Sequence, residues 1–161
     1  MKTLTLTQPW ATLVAIGAKR IETRSWKTEY RGPLAIHAAK SFPAYAKDCA
    51  QNARVFRRAL GWPEPPSPIT QEWLDAIKCS LYALPLGQVL ATCRLTACTP
   101  TEVLDNGSNV FSVSLPQLSE QEKAFGNYET GRYGFTLEDI EPLKVPVPAK
   151  GARTVRSCKL A

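Results

Sequence analysis

The segment from Gly87 to Ala97 alternates apolar and polar side chains more regularly than any other part of the chain. Its odd-numbered residues from Val89 to Leu95 are apolar, whereas Thr92 and Arg94 between them are polar. A period of two predicts a β-strand with one buried face. The chain is therefore expected to build a β-sheet, and the remaining segments indicate what kind of sheet it is.

Shorter patterns of the same kind indicate further strands. They are predicted over Thr3–Thr7, Arg20–Trp26, Leu34–Lys40 and Tyr133–Glu138, with an extended segment at Val145–Pro148. Helices are predicted from Pro9 to Gly17, over Ala44–Leu60, and after Thr70 and Ser119 as N-caps. Five or six short strands, with helices clustered after the first and third, predict an α+β or mainly-β fold, a small closed β-barrel with helices packed around it. We expect one domain over residues 1–161, with a helical elaboration at about 43–81.

A dense group of charges lies between the first predicted helix and the second predicted strand, from Gly17 to Arg24. On a strand, Glu22 and Arg24 share one face while Thr23 points to the other, and Lys19 at the strand entrance can lean toward Glu22. The group is either an ion-pair network that joins helix and strand or a polar site. In such a site the two cations would meet an anion or a carbonyl, and the glutamate would orient them or move a proton.

The charge of the chain is unevenly distributed. The formal net charge is +6, although residues 101–141 carry eight acids and only two bases. Residues 26–31 interleave tryptophan and tyrosine with lysine and arginine, which suits stacking on bases and pairing with phosphates. Lys40 is a further candidate for phosphate contact. A basic face attracts nucleic acid, but a protein that is mildly basic for solubility is the equal alternative.

Metal and cofactor chemistry is not expected. The five cysteines form no Cys-x-x-Cys pair, and the single histidine, His37, is expected to be a satisfied interior residue rather than a catalyst. Reduced, buried thiols are therefore favoured over a zinc site or a disulfide framework. No apolar run is long enough to span a bilayer, and the first residues lack the apolar middle of a signal peptide. We expect a cytoplasmic protein.

Several blocks of the chain, taken in order, resemble one known family. The pattern Gly17-x-Lys19-x-x-Glu22-x-Arg24 resembles the signature of the ASCH domain (activating signal cointegrator homology), a branch of the PUA-like superfamily. Blocks at Gln8–Ala11, Arg31–Ala38 and Gly131–Asp139 look like those of the longer members found in bacteria and phages. The resemblance covers most of the chain, and residues 43–81 are its most variable part.

The resemblance implies a β-barrel with a cleft beside the first helix, lined by the signature. PUA-like domains commonly bind RNA, so the implied partner is RNA, a nucleotide or a modified nucleoside, with no membrane, metal or cofactor. The residues expected to contact that partner are Gln8, Trp10, Lys19, Glu22, Arg24, Trp26, Lys40 and Tyr133.

The resemblance also implies an alternative activity. Some small ASCH proteins are amidohydrolases that remove the acyl group from N4-acetylcytidine, and in those the signature lysine activates a threonine three residues later with help from a downstream glutamate. Lys19 matches the lysine, but the nucleophile position holds Glu22, and the assisting glutamate is either Glu102 or Glu122. If the protein is an enzyme, Lys19 and Glu22 are its expected catalytic residues. Ribonuclease activity has been suggested for some members, but no histidine pair is present to support the common mechanism.

Three hypotheses follow. The favoured one is a domain that binds RNA or a nucleotide, with affinity that falls as salt rises. The second is an amidohydrolase that acts on N4-acylated cytidine nucleosides or a related modified base. The third is an interaction domain whose charged cluster is only structural.

Overall fold

The computed structural model describes residues 1–101 and 118–151, together with the backbone of residues 156–157. In chain order the elements are β1 (Lys2–Leu6), α1 (Trp10–Ala15), β2 (Ile21–Arg24), β3 (Gly32–Ala38), α2 (Ala44–Asn52), α3 (Arg54–Leu60), α4 (Gln71–Ala83), β4 (Gln88–Thr101), α5 (Glu120–Phe125), β5 (Arg132–Pro148) and β6 (Arg156–Ser157). Over these described residues the helices pack around a single sheet, which confirms the expected α+β class.

The strands form a mixed sheet in the order β2-β5-β4-β3-β1-β6. Strands β1 and β3 are parallel, and the other neighbours are antiparallel. The alternation predicted for β4 is confirmed, because residues 89, 91, 93 and 95 are all buried. The pairing of β4 with β5 shifts register at three places, and such bulges bend a strand and increase its twist. The long central pair is therefore curved rather than flat.

The sheet does not close into a barrel among the described strands, which corrects the expectation of a closed one. Strands β2 and β6 lie at its two edges, and β6 pairs only with Lys2 and Thr3 at the beginning of β1. Farther along β1, the Thr5 carbonyl accepts a hydrogen bond of 2.6 Å from Arg24 Nη2 at the end of β2. A side chain, rather than a backbone ladder, thus joins the two ends of the curled sheet, and a cleft lies between them.

Helix α1 separates two hydrophobic clusters. Ala11 and Val14 belong to the main cluster, which also contains inward residues of β1, β3, β4 and β5. Leu13 packs instead with Phe56 of α3 and Phe125 of α5 in the second cluster. The sheet therefore contacts one side of α1, and the other helices contact its opposite side.

Two residues determine where α1 begins and ends. Gln8 is fully buried, and its side chain donates to the Pro85 carbonyl at 2.8 Å and accepts from the Thr12 N–H at 3.1 Å. It therefore satisfies one of the N–H groups at the start of the helix that have no partner within it. Gly17 has a φ of 75°, a left-handed conformation that favours glycine, and it ends the helix as predicted.

The segment predicted as one helix over Ala44–Leu60 is two helices. Ala53 separates α2 from α3 because its backbone is extended, with ψ at 118°. Beyond the break, Phe56 enters the second cluster, where it lies beside Trp10 and Phe125. The helices over residues 44–83 are those of the expected elaboration, and the assignment of the chain to one domain stays a prediction.

Three findings bear on other expectations. No helix of the described part is long and apolar enough to cross a membrane. The described cysteines, Cys49, Cys79, Cys93 and Cys98, are free thiols, and Cys158 lies outside the described residues. Within residues 1–101 and 118–151, no group of three or more His, Cys, Asp or Glu side chains is placed to hold a metal ion.

Candidate functional site

A cleft of about 500 Å³ opens where the ends of β1 and β2 approach α1 and the segment after α5. Its aromatic lining comprises Trp10, Trp26, Tyr45, Phe56 and Phe125. Trp10 is held in place because its Nε1 donates to the Phe125 carbonyl at 2.8 Å, and Trp26 because its ring meets Phe135 edge-on at 5.0 Å. Aromatic side chains that are already ordered lose little entropy when a planar ligand stacks on them. The cleft is thus suited to a flat, partly apolar group.

The polar wall of the cleft comes from β2. Glu22 and Arg24 extend from the same face, as predicted, and Glu22 Oε1 lies 3.1 Å from Arg24 Nε. The Glu22 side chain is 12% exposed and that of Arg24 is 23% exposed, so both remain accessible to a ligand. Thr23 alternates with them in burial but also lines the cleft, since the cleft runs along the edge of the strand and meets both faces.

A second arginine, Arg132 at the start of β5, lines the same cleft. Its Nε donates to the Asn127 carbonyl at 3.1 Å, and its Nη2 donates to the Thr23 carbonyl at 3.3 Å. A guanidinium has five N–H groups, so these two bonds leave donors for a ligand. In the sequence Arg132 stands out only as part of the block Gly131–Asp139, where its place between Gly131 and Tyr133 is the available signal.

Lys19 is buried and is not among the described residues that line the cleft. Its side chain is 0% exposed, and its Nζ donates to the Ile21 carbonyl and lies 3.2 Å from Glu122 Oε1. The ion pair is therefore with Glu122, and not with Glu22 as expected. Glu122, one of the two glutamates expected to assist Lys19, meets it, and Glu102 lies outside the described residues.

The Glu122 carboxylate gathers several donors. Besides Lys19, it accepts from the backbone N–H of Arg20 at 2.9 Å and of Ile21 at 3.2 Å, and from the Tyr128 hydroxyl at 3.3 Å. Burial, together with the nearby carboxylates, raises the pKa of Tyr128, which therefore stays protonated as a donor. These bonds tie α5 to the residues that lead into β2.

The sequence Ser119-Glu120-Gln121-Glu122 has the pattern of a capping box, and this arrangement modifies that box. The Ser119 hydroxyl does accept from the Glu122 N–H, at 3.1 Å, so it caps α5 as expected. In a capping box the glutamate side chain also accepts from the backbone N–H of the N-cap residue. Here that bond is replaced, because the Glu122 side chain turns toward β2. Near β2 the carboxylate accepts from a lysine and two backbone N–H groups, and these donors bind it more strongly than the single N–H of the N-cap residue would.

The other predicted contacts lie outside the cleft. Gln8 is buried and belongs to the start of α1. Tyr133 is half-buried against the main cluster and is not among the described residues that line the cleft. Lys40 is exposed and lines a second groove. The structure thus gathers Trp10, Glu22, Arg24 and Trp26 on one cleft and places Lys40 next to it.

The second groove, of about 640 Å³, adjoins the cleft. Thr5 and Arg24 line both cavities. The rest of its lining consists of His37, Ala39, Lys40, Lys150 and Gly151. Lys40, which the sequence predicts as a phosphate contact, therefore lines the same groove as Arg24, and Arg24 also lines the aromatic cleft.

His37 is 1% exposed and lines this groove. Its Nε2 lies 3.1 Å from the Ala149 carbonyl, which identifies Nε2 as the nitrogen that carries the proton. Burial, with a smaller effect of the Lys40 charge, lowers the pKa of His37, so the ring is neutral at pH 7. The prediction of a satisfied interior histidine holds for Nε2, whereas Nδ1 has no hydrogen-bond partner among the described residues.

Comparison with known proteins identifies the family. A family model described as "ASCH domain" matches residues 4–144. The chain belongs to the ASCH domain family. Two curated proteins share a shorter stretch with this ASCH domain: "Activating signal cointegrator 1" of Homo sapiens and that of Mus musculus, each 49% identical over 41 residues. The match covers 26% of this chain and 7% of each relative, so most of those proteins lies outside it.

Within this ASCH domain the signature divides into two parts. Gly17 and Lys19 are structural in their contacts, since the first ends α1 and the second is buried against Glu122. Glu22 and Arg24 face the cleft. ASCH domains belong to the PUA-like families, which are generally linked to RNA binding. The cleft-facing half is therefore the part of the signature that a ligand can contact.

Proposed function

We propose that this ASCH domain binds RNA by taking an exposed nucleobase into the aromatic cleft. The observation that carries the proposal is a single cavity that combines ordered aromatic rings, Arg24, Arg132 and the Glu22 carboxylate. Proteins that read single-stranded RNA stack unpaired bases on aromatic side chains and hydrogen-bond to the edges of those bases. The family's general link to RNA supports the choice of ligand.

The aromatic and the charged residues of the cleft would contact different parts of the nucleotide. Trp10 and Trp26 offer ring surface to the base, and the Glu22 carboxylate accepts from an exocyclic amino group of cytosine, adenine or guanine. Arg24 and Arg132 donate to base carbonyls or to phosphate. Gln8 and Lys19 are buried and Tyr133 packs against the main cluster, so the proposed site does not include them as contacts.

Trp26→Ala is expected to weaken the binding of a labelled single-stranded RNA roughly tenfold, since stacking on an aromatic side chain contributes about 1–3 kcal/mol per base. Fluorescence anisotropy at low salt measures this change. Trp26→Phe retains a ring and should bind nearly as well as the native protein. Trp73→Ala is the matched control, because Trp73 lies on α4 and is absent from the cleft lining.

The rate at which Cys49 is alkylated tests independently where the RNA binds, because Cys49 lines the cleft. RNA should slow the alkylation of Cys49 and leave that of the exposed Cys79 unchanged. Cys93 should react slowly with and without RNA, since burial raises the pKa of its thiol to about 12. RNA binding that leaves Cys49 equally reactive would place the ligand outside the cleft.

A second candidate function is hydrolysis of an N4-acylated cytidine, and the observation that favours it is the Glu22 carboxylate in the cleft wall. Glu22 would take a proton from water while the water oxygen attacks the amide carbon. The C–N bond would then break, the proton would pass to the departing cytidine amine, and a carboxylic acid would leave. Arg24 would stabilise the oxyanion, since Lys19 is buried against Glu122.

This second function predicts that the native protein releases cytidine from N4-acetylcytidine and that Glu22→Gln abolishes the release. Chromatographic separation of the nucleosides measures the product. Glu29→Gln is a matched control, because the Glu29 side chain is 88% exposed and is absent from the cleft lining. An absence of product from N4-acetylcytidine and related acylated cytidines would exclude the hydrolase and leave the binding proposal intact.

A further inference from the structure

The groove next to the aromatic cleft is not part of the base-binding site. We propose that it is a phosphate subsite, in which Arg24 and Lys40 hold the phosphate of the nucleotide whose base occupies the cleft. The inference rests on the proposed function and adds to it a ligand class: a nucleotide whose base and phosphate bind in two adjoining cavities.

The charge of the groove favours an anion. Its lining includes the cationic side chains of Arg24, Lys40 and Lys150, and no carboxylate belongs to the lining among the described residues. Burial lowers the pKa of His37, which also lines the groove, so the positive charge comes from the arginine and the lysines alone. A concave surface lined by charges of one sign attracts ligands of the other sign. A phosphate monoester, with a charge of about −1.5 to −2 at pH 7, matches this surface well.

Arg24 is placed to serve both cavities. Its Nη2 donates to the Thr5 carbonyl at 2.6 Å, and its Nε lies 3.1 Å from Glu22 Oε1. These two contacts orient the planar guanidinium, and a guanidinium retains further N–H groups beyond them. Arginine binds phosphate in a bidentate manner, which requires such a fixed orientation. The same side chain lines the aromatic cleft, so a ligand that contacts it can extend into both spaces.

Lys40 is positioned by the backbone of the segment before β4. A β-carbon built on Gly87 would lie 2.9 Å from Lys40 Cγ and 3.3 Å from Lys40 Cε, so the lysine stem runs directly over this glycine. Gly87 also has a φ of 66°, which favours glycine there. The stem is therefore packed, whereas the residue as a whole remains exposed. A lysine held in this way keeps its ammonium group near the groove at a reduced entropy cost.

Displacement of a labelled single-stranded RNA by nucleosides and nucleotides tests the subsite. Nucleoside 5′- and 3′-monophosphates should displace the RNA from the native protein at concentrations roughly tenfold or more below those of the matching nucleosides. Lys40→Gln should reduce this difference severalfold and leave the affinity for the nucleoside unchanged. Lys78→Gln is the matched control, since Lys78 is an exposed lysine of α4 outside both cavities.

The outcomes separate the subsite from the proposed function. Equal displacement by nucleosides and nucleotides would overturn the subsite and leave base binding standing. An equal loss of nucleoside and nucleotide affinity in Lys40→Gln would also overturn it, because Lys40 would then not act on the phosphate. Inorganic phosphate that weakens nucleotide binding but not nucleoside binding would support it. Failure of the RNA itself to bind would contradict the proposed function, and the subsite with it.

Discussion

Glu122→Ala is expected to lower the free energy of unfolding by about 3–5 kcal/mol, the range for breaking a buried ion pair by removing one partner. The change leaves the Lys19 ammonium fully buried without its carboxylate. It also removes the acceptor of the backbone N–H groups of Arg20 and Ile21, and each buried donor left unsatisfied adds a cost. Urea unfolding at pH 7, monitored by tryptophan fluorescence, measures the loss.

Two further variants make this expectation specific. Glu120→Ala is the matched control on the same helix, since Glu120 is 91% exposed. Among the residues that the structure describes, it forms only a surface pair with Lys123, which is expected to contribute less than about 1 kcal/mol. Lys19→Met should cost less than Glu122→Ala, because the remaining carboxylate keeps the backbone N–H groups and the Tyr128 hydroxyl as donors. If Glu122→Ala unfolds no more easily than Glu120→Ala, the pair does not stabilise the entrance of β2.

The expected loss of stability indicates that the signature contains both residues that stabilise the fold and residues that face the cleft. Lys19 and Glu122 hold the chain where it enters β2, and the strand then carries Glu22 and Arg24 to the cleft. A change at Lys19 should therefore reduce ligand binding only as far as it displaces β2. A change at Arg24 should act on the ligand directly. The charged group would then be both of the alternatives that the sequence leaves open. Lys19 belongs to an ion pair that joins two elements, whereas Glu22 and Arg24 belong to a polar site.

Local patterns in the sequence predict strand β2 and the face that its side chains share, but not the contacts of this strand with α5. The alternation of β2 follows from a period of two and places Glu22 beside Arg24, as found. The partner of Lys19 does not follow, because Glu122 is 103 positions away and its local pattern is that of a capping box. A capping box predicts a bond within three residues, whereas the observed bonds depend on how α5 packs against β2.

Two other differences between prediction and structure also arise from tertiary contacts. Ala53 is a good helix former, so its own propensity does not predict the break between α2 and α3, and the packing of Phe56 against Trp10 is visible only in the fold. The number of strands predicts a barrel, but whether its edges pair depends on their lengths and spacing. Here the bond between Arg24 and Thr5 replaces that pairing, and the cleft lies at the same opening.

Arg24→Gln is expected to weaken RNA binding roughly a hundredfold at low salt, because it removes a charged, orienting donor from both cavities. It should also make the dependence of affinity on salt shallower by about 0.7 in the log–log slope, the value for one phosphate contact on a single strand. Fluorescence anisotropy over a salt series measures both quantities. The same variant's urea unfolding curve separates lost contact with RNA from a loss of the bond to Thr5.

Arg31→Gln makes the same change of net charge at a different place and is the matched control. Arg31 is exposed, and its side chain donates only to the nearby Thr28 and Tyr30 carbonyls among the described residues. If both variants lose affinity equally, RNA responds to the overall charge and not to the cleft. Arg24→Lys divides the effect further: it keeps the positive charge and should keep the salt slope, but it lacks the planar fork and should still bind RNA more weakly. Full affinity in Arg24→Lys would mean that Arg24 acts as a point charge, and the orientation imposed by Glu22 and Thr5 would then have no part in binding.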